Sequence, residues 1–137
     1  MSKLIAYVGR NHVDKFEGGG ISVFEVSADG SSITPLPGGV ENMPKRAGYL
    51  AYAPKNKVLY AVDERKTDGR GPKKPASGVL SFKVDPQSGA LTFLNSQRSV
   101  GAMPASITVD EEKKLLFTAN HGFFDHVVKA VETADGK

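Results

Sequence analysis

Arg10 and His12, Arg46, Glu64 and Arg65, and Asn120 and His121 are the side chains of this sequence best suited to act together. Guanidinium groups grip carboxylates and phosphates with two parallel hydrogen bonds, and an imidazole exchanges protons near neutral pH. A carboxylate beside an imidazole completes the parts needed to hold an anionic substrate and activate water as a nucleophile. On this reading Glu64, His121 and Arg46 are catalytic, and Arg10, His12, Arg65 and Asn120 bind substrate. The alternative is that all of them are polar residues at loop edges, facing water.

Other chemistries find less support. There is no cysteine, so disulfides and thiolate metal sites are excluded. His121 and His126 are five apart, point to opposite faces of a strand, and have no third ligand at useful spacing, so no metal is expected. Gly18-Gly19-Gly20 precedes a strand and lacks a following Lys-Ser/Thr, which makes it a turn rather than a phosphate loop. No Gly-x-Ser-x-Gly elbow occurs. No cofactor is expected. The net charge of +3 is local: Arg65–Gly78 holds five bases and one acid, leaving the remainder at −1. That loop has no aromatic residue to stack on a base, so it reads as a solvated loop and nucleic acid is not an expected partner.

The 137 residues suffice for one domain, and 39% hydrophobic with 24% charged residues is ordinary globular usage. Fifteen glycines and eight prolines fit many turns between short strands. The apolar run Leu4–Val8 is too short for a signal peptide, and nothing approaches a membrane span. The expectation is a cytoplasmic protein with no membrane partner.

What positions the candidate residues is an internal repeat. Ile21, Phe24, Val26, Ile33 and Leu36 fall on Val79, Phe82, Val84, Leu91 and Leu94 at an offset of 58. Leu50, Leu59, Tyr60 and Val62 fall on Ile107, Leu116, Phe117 and Ala119 at 57, and Met43-Pro44 on Met103-Pro104 at 60. Each unit reads as four strands: GYLAYAP or ASITVDE, KVLYAVDE or KLLFTANH, GISVFEV or GVLSFKV, and SITPLPG or ALTFLNS. The third strand is apolar on both faces, as in a sheet packed between two others. A four-stranded unit repeated at 57–60 residues is the pattern of β-propeller blades, so the fold class is all-β. The opening Tyr7-Val8-Gly9 aligns with Tyr60-Ala61-Val62, the second strand of a unit. Blade boundaries are therefore expected at 1–41 (a first blade without its innermost strand), 42–98 (a complete blade) and 99–137 (the start of a third). In antiparallel strands the start of the first and the end of the second share an edge. That edge would carry Arg46 with Glu64 and Arg65, Arg10 and His12 one blade earlier, and Asn120 and His121 one blade later.

Tyr60-Ala61-Val62-Asp63-Glu64, Gly78-Val79-Leu80-Ser81-Phe82 and Asp85-Pro86 through Leu91 resemble the seven-bladed propeller lactonases. These include the propeller type of 6-phosphogluconolactonase and the 3-carboxy-cis,cis-muconate lactonizing enzymes. The likeness runs from about Lys3 to Gly122 and covers only two to three blades of such a ring. It implies hydrolysis or formation of a sugar-acid or carboxylate lactone; a binding or assembly scaffold without catalysis is the other reading. It also implies that the family's catalytic His, Arg and Glu lie mainly in later blades. Where relatives carry a His before the third-blade inner strand, this chain reads Met103-Pro104-Ala105-Ser106. The chain opens on a second strand and stops after the turn residues Asp135-Gly136. A complementary chain or further copies are therefore expected to complete the propeller.

Overall fold

The computed structural model describes residues 3–11, 18–64, 77–99, 101 and 103–121. Every regular element among them is a strand: β1 Leu4–Arg10, β2 Gly20–Val26, β3 Ile33–Glu41, β4 Leu50–Ala53, β5 Val58–Asp63, β6 Gly78–Val84, β7 Leu91–Arg98, β8 Pro104–Asp110 and β9 Leu115–Asn120. They form three antiparallel sheets ordered β1-β2-β3, β4-β5-β6-β7 and β8-β9. All connections within a sheet join sequence neighbours, so each sheet is a meander. This is the blade arrangement read from the repeat.

The strands form where β-branched and aromatic residues alternate over a few positions between turn residues. Asp85-Pro86-Gln87-Ser88-Gly89 shows the turn chemistry. Asp85 Oδ1 accepts from the Ser88 and Gln87 amides at 2.7 and 2.9 Å and from the Ser88 hydroxyl at 2.9 Å. These bonds favour the carboxylate, the Ser88 amide most, and hold the Asp85 carboxyl below its ordinary range. In the β4–β5 and β8–β9 hairpins the last turn residue, Lys57 or Lys114, has φ 54° or 56°. The two lie at the repeat offset of 57, so the backbone repeats as well as the side chains.

The core lies between the first and second sheets. Ile21 and Val23 from β2 meet Leu59, Ala61, Leu80, Phe82, Val84 and Leu91, with Ile5, Tyr7, Leu36 and Val40 closing its rim. Phe82 is wholly buried and meets Phe93 edge to face at 5.8 Å. Burying a side chain of that size contributes about 2–3 kcal/mol. β3 and β7, outermost in their sheets, are largely exposed, and β3 tolerates Pro35 and Pro37 because an edge strand need not donate on both sides.

The sheets are joined by polar bonds at both ends of the strands. Tyr7 Oη donates to the Gly89 carbonyl at 2.8 Å, tying β1 to the β6–β7 turn. Burial, then the nearby Tyr52 and Asp85, push the Tyr7 phenol above its ordinary value. Between the second and third sheets, Glu111 takes the Asn56 amide at 2.9 Å and the Lys55 amide at 3.3 Å. Lys55 Nζ also pairs with Glu112 at 3.0 Å.

One alignment in the sequence reading needs correction. Met43-Pro44 and Met103-Pro104 are identical dipeptides but not structural equivalents. The Arg46 carbonyl accepts from Glu64 N at 2.9 Å, and the Met103 carbonyl accepts from His121 N at 3.2 Å. Met103 is therefore the counterpart of Arg46, at the same offset of 57 as the strands that follow. Met43-Pro44 is a cis peptide three residues earlier in the loop.

Candidate functional site

β5 ends at Asp63, and the next residue, Glu64, leaves the sheet beside the segment that leads into β4. Asp63 is buried, and its Oδ1 accepts from the Arg46 amide at 3.1 Å. The Arg46 carbonyl in turn accepts from both Gly48 N and Glu64 N, each at 2.9 Å. Residues 46, 48, 63 and 64 are thus held as one unit by backbone groups and a single buried carboxylate. An isolated bridge between Asn11 and Arg46, and a 3.2 Å bond from Ala47 N to the Arg10 carbonyl, fasten the first sheet to that unit. Gly9 permits this approach, because a Cβ there would overlap the Ala47 carbonyl oxygen.

Glu64 Oε1 lies 2.8 Å from His121 Nε2 across the seam between the second and third sheets. A carboxylate only accepts, so Nε2 carries the proton and donates it, and in the neutral ring Nδ1 keeps its lone pair. The Glu64 side chain is 26% exposed and that of His121 53%, so the pair opens to solvent on the imidazole side. Arg46 is half-buried, and its guanidinium makes no salt bridge among the described residues.

The structure brings Glu64 and His121 into contact at one edge, and Arg46 and Arg10 join them there through their backbones. The Arg10 guanidinium turns toward β3, where Nη2 donates to Glu41 Oε1 at 2.7 Å and to the Val40 carbonyl at 3.3 Å. An acid at the end of the third strand captures it, a contact that repeat spacing does not reveal. Asn120 is exposed and lies against Gly101. His12, Arg65 and His126, and the basic residues Lys66, Arg70, Lys73 and Lys74, lie outside the described residues. No group of three His, Cys, Asp or Glu side chains among the described residues is placed to hold a metal ion. The reading missed Asp63 as the buried anchor of the unit and Gly48 as a neighbour of Glu64. Asp63 carried a signal, an acid closing an otherwise apolar strand; Gly48 carried none.

The chain matches the family model described as "Lactonase, 7-bladed beta-propeller" over residues 5–135. It is 32% identical over 127 residues to a Bacillus subtilis (strain 168) 6-phosphogluconolactonase, covering 88% of this chain and 31% of that protein. A Formosa agariphila 6-phosphogluconolactonase is 30% identical over 115 residues, covering 84% and 30%. The chain therefore spans about a third of the length of these curated relatives. A Bacteroides fragilis crystal structure, provisionally described as a 6-phosphogluconolactonase, superposes with a TM-score of 0.69 at 27% identity, covering 88% of this chain and 30% of that one. A Pseudomonas aeruginosa periplasmic gluconolactonase superposes at 0.70 with 23% identity, covering 89% and 32%, and bears on the fold alone.

Proposed function

Because the chain belongs to the seven-bladed β-propeller lactonase family, we propose that it contributes a water-activating site for hydrolysis of a phosphorylated sugar-acid lactone. The observation that carries this reading is the 2.8 Å contact between Glu64 Oε1 and His121 Nε2, with Arg46 at the same blade edge. The two relatives named 6-phosphogluconolactonase support the substrate class.

In this mechanism Glu64 orients the imidazole and stabilises its charged form. His121 Nδ1 takes a proton from water as the oxygen attacks the lactone carbonyl. The tetrahedral oxyanion collapses, the ring C–O bond breaks, and the imidazolium returns the proton to the departing alkoxide. Arg46 supplies a charge-assisted grip on the phosphate or carboxylate of the substrate. Read backwards, the same groups close a lactone from its hydroxy acid with release of water. His12, Arg65 and Asn120 remain proposed substrate contacts.

We also propose that the three sheets are consecutive blades, bounded at 1–41, 42–98 and 99–137, of a ring closed by a further chain or further copies. Leu4 at 58% and Val8 at 48% exposure on β1, with Leu115 at 47% and Phe117 at 57% on β9, favour such cover. The cysteine-free sequence fits a reducing compartment, and cell fractionation tests a cytoplasmic location. No helix among the described residues is long and apolar enough to cross a membrane.

The functional test is turnover of a phosphorylated sugar-acid lactone, above its spontaneous hydrolysis, by the assembled propeller. His121→Gln should slow the reaction by roughly 100- to 10,000-fold, the usual contribution of a positioned base. Unchanged turnover would remove His121 from the reaction.

A further inference from the structure

Gly48 sits beside Glu64 because both amides donate to the Arg46 carbonyl, each at 2.9 Å. Its φ lies outside the left-handed region, so the backbone does not require glycine there. Space does. A Cβ at Gly48 would overlap Glu64 Oε2 and lie 3.3 Å from its Cδ and 3.5 Å from its Cβ. The two oxygens of this carboxylate thus have separate tasks: Oε1 holds His121 Nε2 at 2.8 Å, and Oε2 occupies the room a side chain at position 48 would fill.

We propose that Gly48 is a positioning residue, whose missing side chain is the seat from which Glu64 presents Oε1 to His121. The inference rests on the reading of Glu64 and His121 as the water-activating pair. The atom in the way of a methyl group is the far end of a rotatable side chain, not backbone. Alanine at position 48 therefore displaces the carboxylate and leaves the strands where they are. As the carboxylate swings away, Nε2 loses its acceptor and the proton is no longer confined to that nitrogen. Nδ1 is then available as a base for only part of the time. Arg46 is untouched, so substrate binding stays as it was.

The experiment compares wild type, Gly48→Ala and Glu64→Gln in the assembled propeller by thermal unfolding, imidazole nitrogen NMR of His121 and lactone kinetics. Gly48→Ala should unfold close to wild type and shift the His121 Nε2 resonance in the direction set by Glu64→Gln. It should lower kcat by up to about 100-fold, with KM unchanged. A wild-type His121 resonance in Gly48→Ala, when Glu64→Gln moves it, overturns the proposal. A shifted resonance with wild-type kcat in both variants upholds the seat and removes the catalytic reading instead. If Gly48→Ala does not fold, Glu64→Asp is added, because the shorter side chain withdraws from the methyl group. Recovery of folding supports the seat, and failure to recover overturns it.

Discussion

Arg10 and Arg46 carry the same charge at the same blade edge but differ in their partners. Arg10 is already held by Glu41 at 2.7 Å, whereas Arg46 has no carboxylate partner among the described residues. Arg46→Ala should therefore raise KM for a phosphorylated lactone by roughly ten- to a hundredfold, the worth of a charge-assisted hydrogen bond. Arg10→Ala, and Lys73→Ala with Lys74→Ala, should leave KM near wild type. Steady-state kinetics on the three variants check the ranking, and equal effects would remove Arg46 from the binding role. Residue types and repeat spacing were enough to bring Arg46, Glu64 and His121 to one edge. They could not show the direction of the Arg10 side chain, because that depends on Glu41, on a strand with which Arg10's own strand does not pair.

The seams between the sheets divide the stabilising work. Phe82 fills the space between the first and second sheets, so Phe82→Ala should cost about 3–5 kcal/mol, read from chemical unfolding. Tyr7→Phe removes one hydrogen bond to Gly89 and should cost about 1 kcal/mol. The Tyr7 phenol is held above its ordinary 10.0 by burial, so its neutral form is the one the fold prefers. Its contribution is complete below pH 10 and is lost as pH rises through the elevated folded value. Alkaline unfolding of Tyr7→Phe should therefore lack that part of the pH dependence. At the β2–β3 turn the Ser27 hydroxyl, then the Ser31 amide and hydroxyl, hold the Asp29 carboxyl down to about 2. Its stabilising effect is present above the ordinary 3.8 and is lost as pH falls through about 2. The Ser31 amide resonance should titrate there, and a midpoint near 3.8 would contradict the bonding. The strands were legible because alternation and turn residues are local signals. Met43-Pro44 misled because a shared dipeptide says nothing about loop length, and the Arg46 and Met103 carbonyls, which settle the equivalence, are silent in sequence.

At the scale of the molecule, the sheets are stabilised by stacking, and the same stacking brings Glu64 against His121. Glu64 comes from the second sheet and His121 from the third, so the pair exists only while that seam is closed. Glu111, bound to the Lys55 and Asn56 amides at the opposite end of those strands, helps keep it closed. Glu111→Ala should weaken lactone turnover and stability together, unlike changes at Glu64, which should spare stability. With closure of the ring, light scattering should show a particle larger than the 14.6 kDa of this chain. A stable, soluble monomer of that mass would contradict the blade assembly. The most direct test of the account is the rate of phosphorylated sugar-acid lactone hydrolysis by the assembled propeller, wild type against Glu64→Gln, near neutral pH. Wild type should turn over well above the spontaneous rate, and the variant should lose roughly 100-fold or more with folding intact. Wild-type turnover in Glu64→Gln would contradict it.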